Sequence, residues 1–71
     1  MYELKNYNGE TVAYINIRNI VTIETQLARF YKFAKIYING MEILVADRFS
    51  DGEIDKVQAY LDKIVKELSV E

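Results

Sequence analysis

The chain has 71 residues and a net charge of −2, with 51% apolar and 28% charged residues and no cysteine, histidine or proline. A chain this short buries only roughly 60% of its unfolded surface, so one thin-cored domain is expected, and neither a disulfide nor a cysteine- or histidine-bound zinc can reinforce it. Without histidine the commonest general base near neutral pH is missing, and serine occurs only at positions 50 and 69. The chain therefore reads as non-enzymatic, with no catalytic residue, cofactor, metal ion or small-molecule substrate. No apolar run approaches the ~20 residues of a membrane span, and Met1 to Lys5 has no basic segment leading into an apolar one, so a cytoplasmic protein is expected.

The first element is a strand over 2–7, with Tyr2 and Leu4 on one side and Glu3 and Lys5 on the other. Asn8-Gly9 supplies a short hairpin signal, because both residues tolerate positive φ. A second strand over 11–17 turns Ala13, Ile15 and Ile17 one way and Val12, Tyr14 and Asn16 the other. Arg18-Asn19 reads as a kink, followed by a third strand over 20–25 in which every residue except Glu24 is β-branched. Gln26 to Phe30 reads as a hairpin loop. A fourth strand over 31–38 alternates Ala34, Ile36 and Ile38 with Phe33, Lys35 and Tyr37. Asn39-Gly40 closes a second two-residue hairpin into a fifth strand over 41–46.

The tail, 51–68, carries Ile54, Val57, Leu61, Ile64 and Leu68 at three- and four-residue steps, which is one face of a helix. Ser50 and Glu53 form a capping box, and Phe49 is placed to staple onto Ile54. Asp51, Glu53 and Asp55 crowd the positive end of this helix, while Lys63 and Lys66 approach the negative end. Capping explains this acidic cluster better than a calcium loop does, since the helix face requires Ile54 and Val57 and the glycine is misplaced.

The expected fold is α+β: one antiparallel meander of five strands with a C-terminal helix on one face. The helix should cover the aliphatic set Leu4, Ala13, Ile15, Ile17, Val21, Ile23, Ala34, Ile36, Ile38, Ile43 and Val45. The opposite face would carry Val12, Tyr14, Thr22, Phe33, Tyr37 and Leu44, which is too apolar and aromatic for an ordinary wetted surface. Val12, Tyr14, Phe33, Tyr37 and Leu44 are thus the expected interface, facing a second copy in a homo-oligomer or a protein partner.

Charge points to one alternative. Residues 1–27 sum to −1, residues 28–49 to +2 and residues 50–71 to −3, so the middle segment alone invites an anion. Arg29, Lys32 and Lys35 interleave there with Phe30, Tyr31, Phe33 and Tyr37, a pattern suited to stacking bases and tracking phosphates in a nucleic acid. Strand alternation breaks that pattern, because it puts Tyr31, Phe33, Lys35 and Tyr37 together while Lys32 points with Ala34 and Ile36, and the acidic chain lacks a broad positive field.

Leu4 through Asn8-Gly9-Glu10, Ile15-Asn16 to Ile20, Thr22-Ile23-Glu24, Ile38-Asn39-Gly40 followed by Val45, and the helix with Val57 and Tyr60 together resemble the short bacterial flagellar proteins FlbD and SwrD. The resemblance spans most of the chain and rests chiefly on turns and core positions. It implies an accessory role in flagellar function through protein contacts, with no catalytic residue to carry over. The chain departs from that pattern in its longer 26–33 segment and in Phe49 and Ser50 before the helix. A small bacterial or phage protein family of uncharacterised function is an equally good home for this plan.

Overall fold

Alternation and β-branching make five strands of the first two-thirds of the chain, and the amphipathic tail makes the helix. In the computed structural model, which describes residues 1–69, the order is β1 (Tyr2–Lys5), β2 (Thr11–Ile15), β3 (Ile23–Ala28), β4 (Phe33–Ile38), β5 (Met41–Asp47) and α1 (Ile54–Ser69). Short 3-10 turns at Ile17–Asn19 and Asp51–Glu53 precede β3 and α1. The α+β class and the C-terminal helix are as expected.

The single five-strand meander is not what forms. The strands divide into a two-stranded sheet, β1-β2, and a three-stranded sheet, β3-β4-β5, both antiparallel. The cause lies between Ile15 and Ile23. Asn16 Oδ1 accepts from Arg18 N–H at 3.1 Å and starts the 3-10 turn. The N–H groups of Val21 and Thr22 then donate to Asn39 Oδ1, at 2.7 and 2.9 Å. Asn39 Nδ2 donates to Asn19 O at 2.8 Å, and Asn39 N–H donates to Thr22 O at 3.0 Å. This amide docks the crossing segment on the β4–β5 hairpin, so the third strand begins at Ile23 beside β4 and runs on to Ala28. Ile17 and Val21, expected inside, are consequently exposed, Val21 to 84%.

The two Asn-Gly pairs fold differently. Asn39 and Gly40 both take positive φ (51° and 82°), as a two-residue primed turn requires. At Asn8-Gly9 only Gly9 does (89°), and the loop is longer: Asn6 Oδ1 accepts from the N–H groups of Asn8 and Glu10, while Asn6 N–H donates to Glu10 O. Between β4 and β5 the register slips, with Ala34 opposite Ala46 and Lys35 opposite Leu44. Val45 is the extra residue of a bulge, so Val45 and Ala46 are both buried although strict alternation puts Ala46 outside.

The core gathers Leu4 and Ile15 from the first sheet, Ala34, Ile36, Ile38, Ile43 and Val45 from the second, and Val57, Leu61, Ile64 and Leu68 from α1. Phe49 is buried with them, and Ile54 packs against the same cluster. Glu53 accepts from the N–H and Oγ of Ser50 at 3.1 and 3.0 Å, closing the start of the helix. Those bonds hold its carboxyl below the ordinary carboxylate range, the backbone donor contributing most. Tyr7 N–H donates to Val45 O at 2.6 Å, a direct backbone tie between the sheets.

Candidate interaction surface

The outer face of β3-β4-β5 is the side turned away from the buried residues Ala34, Ile36, Ile38 and Ile43. Register places Glu24 opposite Tyr37, Gln26 opposite Lys35, and Ala28 opposite Phe33 on this side; Glu42 and Leu44 follow on β5. Tyr37 Oη donates to Gln26 Oε1 at 3.0 Å, and Lys35 Nζ pairs with Glu42 at 2.7 Å. Phe33, Tyr37 and Leu44 thus share one sheet face, interleaved with satisfied polar groups. Val12 and Tyr14 lie on β2, in the other sheet, with Tyr14 67% exposed. The five expected interface residues therefore do not form one sheet face, because the meander that would have aligned them is broken at the Asn39 clamp.

The β3–β4 hairpin end adds Phe30 to the set Tyr31, Phe33, Lys35 and Tyr37 that alternation puts together. Phe30 and Tyr31 are 86% and 73% exposed, and their rings meet edge to face at 5.3 Å. Tyr31 in turn stacks on Phe33 at 6.4 Å with 24° between planes, and Lys35 Nζ lies 4.8 Å from the Phe33 ring centre. A ladder of three aromatic rings and a cation therefore runs from the tip onto the outer face. The sequence signal was two adjacent aromatics in a segment without a turn dipeptide.

The basic segment is less cationic than its composition. Lys32 forms an ion pair with Asp51, and Lys35 pairs with Glu42, whose hydrogen bond raises the lysine's proton affinity. Arg29 is exposed beside them.

A concavity of about 330 Å³ lies between β1 and α1 and is lined by Tyr2, Tyr7, Tyr60, Lys5, Lys63 and Glu67 among others. Tyr2 Oη donates to Glu67 Oε2 at 2.9 Å. Tyr60 Oη donates to the carbonyls of Lys5 and Asn6, and the Tyr7 ring meets it edge-on at 5.8 Å. Burial and then the Glu67 carboxylate push the Tyr2 phenol up to about 12, and burial raises Tyr7 and Tyr60 too. All three phenols stay protonated near neutrality, so the cleft holds no phenolate nucleophile or base. Its chemistry is that of a strap tying the first hairpin to the helix.

Among the described residues no group of three acids is arranged to hold a metal ion, and no helix is long and apolar enough to cross a membrane. No family model matches the sequence, and neither the curated proteins nor the solved structures contain a match.

Proposed function

We infer that this chain is a small non-enzymatic interaction module of the cytoplasm that binds protein through its exposed aromatic surface. The observation that carries this reading is the ladder Phe30-Tyr31-Phe33, in which the exposed Phe30 and Tyr31 rings meet each other and Tyr31 meets the half-buried Phe33 at the end of a hairpin. Surface aromatics packed against one another present much area with few rotatable bonds, which is the economy of a contact surface. Leu44 and Tyr37 extend it across the sheet, and Tyr14 and Val12 supply a separate patch on β2. The resemblance to the FlbD and SwrD proteins directs the search for a partner to flagellar components.

Phe30→Ser, Phe33→Ser, Tyr14→Ser and Tyr37→Ser should each leave the fold intact by circular dichroism and weaken light-scattering mass or capture of the partner. A strictly monomeric protein whose four variants lose nothing in solubility, stability or capture sinks the reading.

The competing reading is single-stranded nucleic-acid binding by Arg29, Lys32 and Lys35 beside the same rings. The stacked rings favour it, whereas the carboxylates of Asp51 and Glu42 on two of the three cations weaken it. Oligonucleotide titration at two salt concentrations discriminates, because binding through phosphates falls steeply with salt.

A further inference from the structure

Strand β3 is paired on one edge only. Its register with β4 runs unbroken from Ile23 opposite Ile38 to Ala28 opposite Phe33. Because Asn39 N–H donates to Thr22 O, Thr22 and Asn39 are a hydrogen-bonded pair. Antiparallel alternation then aims the backbone groups of Glu24, Gln26 and Ala28 at β4, and those of Ile23, Thr25 and Leu27 outward. Among the described residues no hydrogen bond from outside the sheet reaches the backbone of 23–28. Of the usual devices that blunt a lone edge, Ile23–Ala28 carries one charge, Glu24, and no proline, lysine, arginine, glycine or bulge.

The geometry points to a second copy of this chain on that edge, β3 pairing with β3 antiparallel about a two-fold axis through Thr25, so that a continuous six-stranded sheet results. The edge is complementary to itself in this register. Glu24 lies opposite the partner's Gln26, a carboxylate against an amide donor; Ile23 lies opposite the partner's Leu27; Thr25 lies opposite the partner's Thr25. An axis through Glu24 would oppose two carboxylates, and one through Gln26 would put Thr25 against Leu27. An axis between two residues would set outward backbone groups against inward ones.

The ends of the strand reinforce the choice of occupant. Beyond the amino end of β3 lies a groove of about 850 Å³ lined by Ile17, Ile20, Val21, Ile23 and Leu68. Beyond its carboxyl end stand the exposed rings of Phe30 and Tyr31. In the Thr25 register Thr22 falls opposite the partner's Ala28, where β3 ends, so the Ile20–Val21 groove of one copy lies on the side of the partner's hairpin end. Each copy thus sets an exposed aromatic tip against the other's apolar groove, which covers the two most exposed apolar features near the edge at once. The inference rests on reading the chain as an interaction module; it shares the Phe30–Tyr31 tip with that reading and otherwise uses a strand edge distinct from the outer sheet face of Phe33, Tyr37 and Leu44.

The test is light scattering and native mass spectrometry of the full chain at micromolar concentration, where a dimer is expected. Thr25→Pro removes an outward N–H and no hydrogen bond to β4, and an edge strand tolerates the ring, so the ladder with β4 survives while association weakens roughly tenfold or more. Thr25→Lys and Thr25→Glu should each be folded monomers by circular dichroism, since each sets like charges across the axis, and their equimolar mixture should recover a heterodimer. Phe30→Ala, on an exposed tip where folding is not at stake, should weaken the dimer without abolishing it. A monomeric wild type, a dimer indifferent to all three Thr25 substitutions, or a Lys and Glu mixture that stays monomeric overturns the proposal. A monomeric wild type that still captures a partner through Phe33 and Tyr37 overturns this inference alone and leaves the interaction reading standing.

Discussion

Asn39 does two jobs with one side chain. Its backbone takes the left-handed turn conformation that a two-residue hairpin needs, and its amide accepts from Val21 and Thr22 and donates to Asn19. Asn39→Ala should cost about 1–2 kcal/mol in chemical denaturation, the net value of exposed hydrogen bonds plus left-handed strain. Asn39→Gly separates the two, since it restores the turn and not the clamp. Tyr2 makes a pH prediction at the same scale. Its phenol is raised to about 12 by burial and by Glu67, so the folded state holds this proton more tightly than the unfolded chain, whose ordinary value is 10.0. The stabilisation is complete below pH 10 and is lost as pH climbs toward 12. Tyr2→Phe should shrink that alkaline loss, followed by circular dichroism, without removing it, because Tyr7 and Tyr60 shift in the same direction.

Among the elements, α1 and its cap formed as the periodicity demands: Val57, Leu61, Ile64 and Leu68 are buried, and Glu53 closes onto Ser50. The strands are where local reading met its limit. Bulging at Val45 buries two consecutive residues, Val45 and Ala46, a departure from alternation that no local signal announces. Beside that bulge the chain takes left-handed φ at Lys32 (58°) and Arg48 (57°), joined by the Arg48 N–H to Lys32 O bond at 2.8 Å. Arg48→Gly should raise stability by up to about 1 kcal/mol in urea denaturation by relieving that conformation, whereas Arg48→Val should lower it by a comparable amount. The aromatic ladder belongs to this scale too. Phe33, Tyr37 and Leu44 were legible as one outward face from alternation, which also set Tyr31 beside Phe33; Phe30 was not, because a four-residue hairpin end obeys no period.

For the whole molecule, the division into two sheets makes the helix the common partner. Its Tyr60 holds the carbonyls of Lys5 and Asn6, and Tyr7 reaches Val45, so the first hairpin is attached to the rest by a few polar ties and by Leu4 and Ile15 in the core. Tyr60→Phe should cost about 1 kcal/mol and, in hydrogen exchange, should speed opening of β1-β2 more than of β3-β4-β5. Equal acceleration of both sheets would show that the hairpin does not open on its own.

By itself the sequence determined the element types, the buried face of the helix, its cap and the α+β class, because these depend on side-chain period and on contacts within a few residues. It also identified Leu4, Ile15, Ala34, Ile36, Ile38, Ile43 and Val45 as core. The three hairpin pairings, β1-β2, β3-β4 and β4-β5, follow from the meander order; tertiary structure alone decided that β2 and β3 do not pair. The break before β3 is held by an amide 17 to 20 residues downstream of the segment it binds, an interaction that has no period. That one clamp parts Val12 and Tyr14 from Phe33, Tyr37 and Leu44, neutral though it is to every strand's own pattern. It also leaves β3 with an open edge, because a strand that pairs with β4 and not with β2 has only one side satisfied.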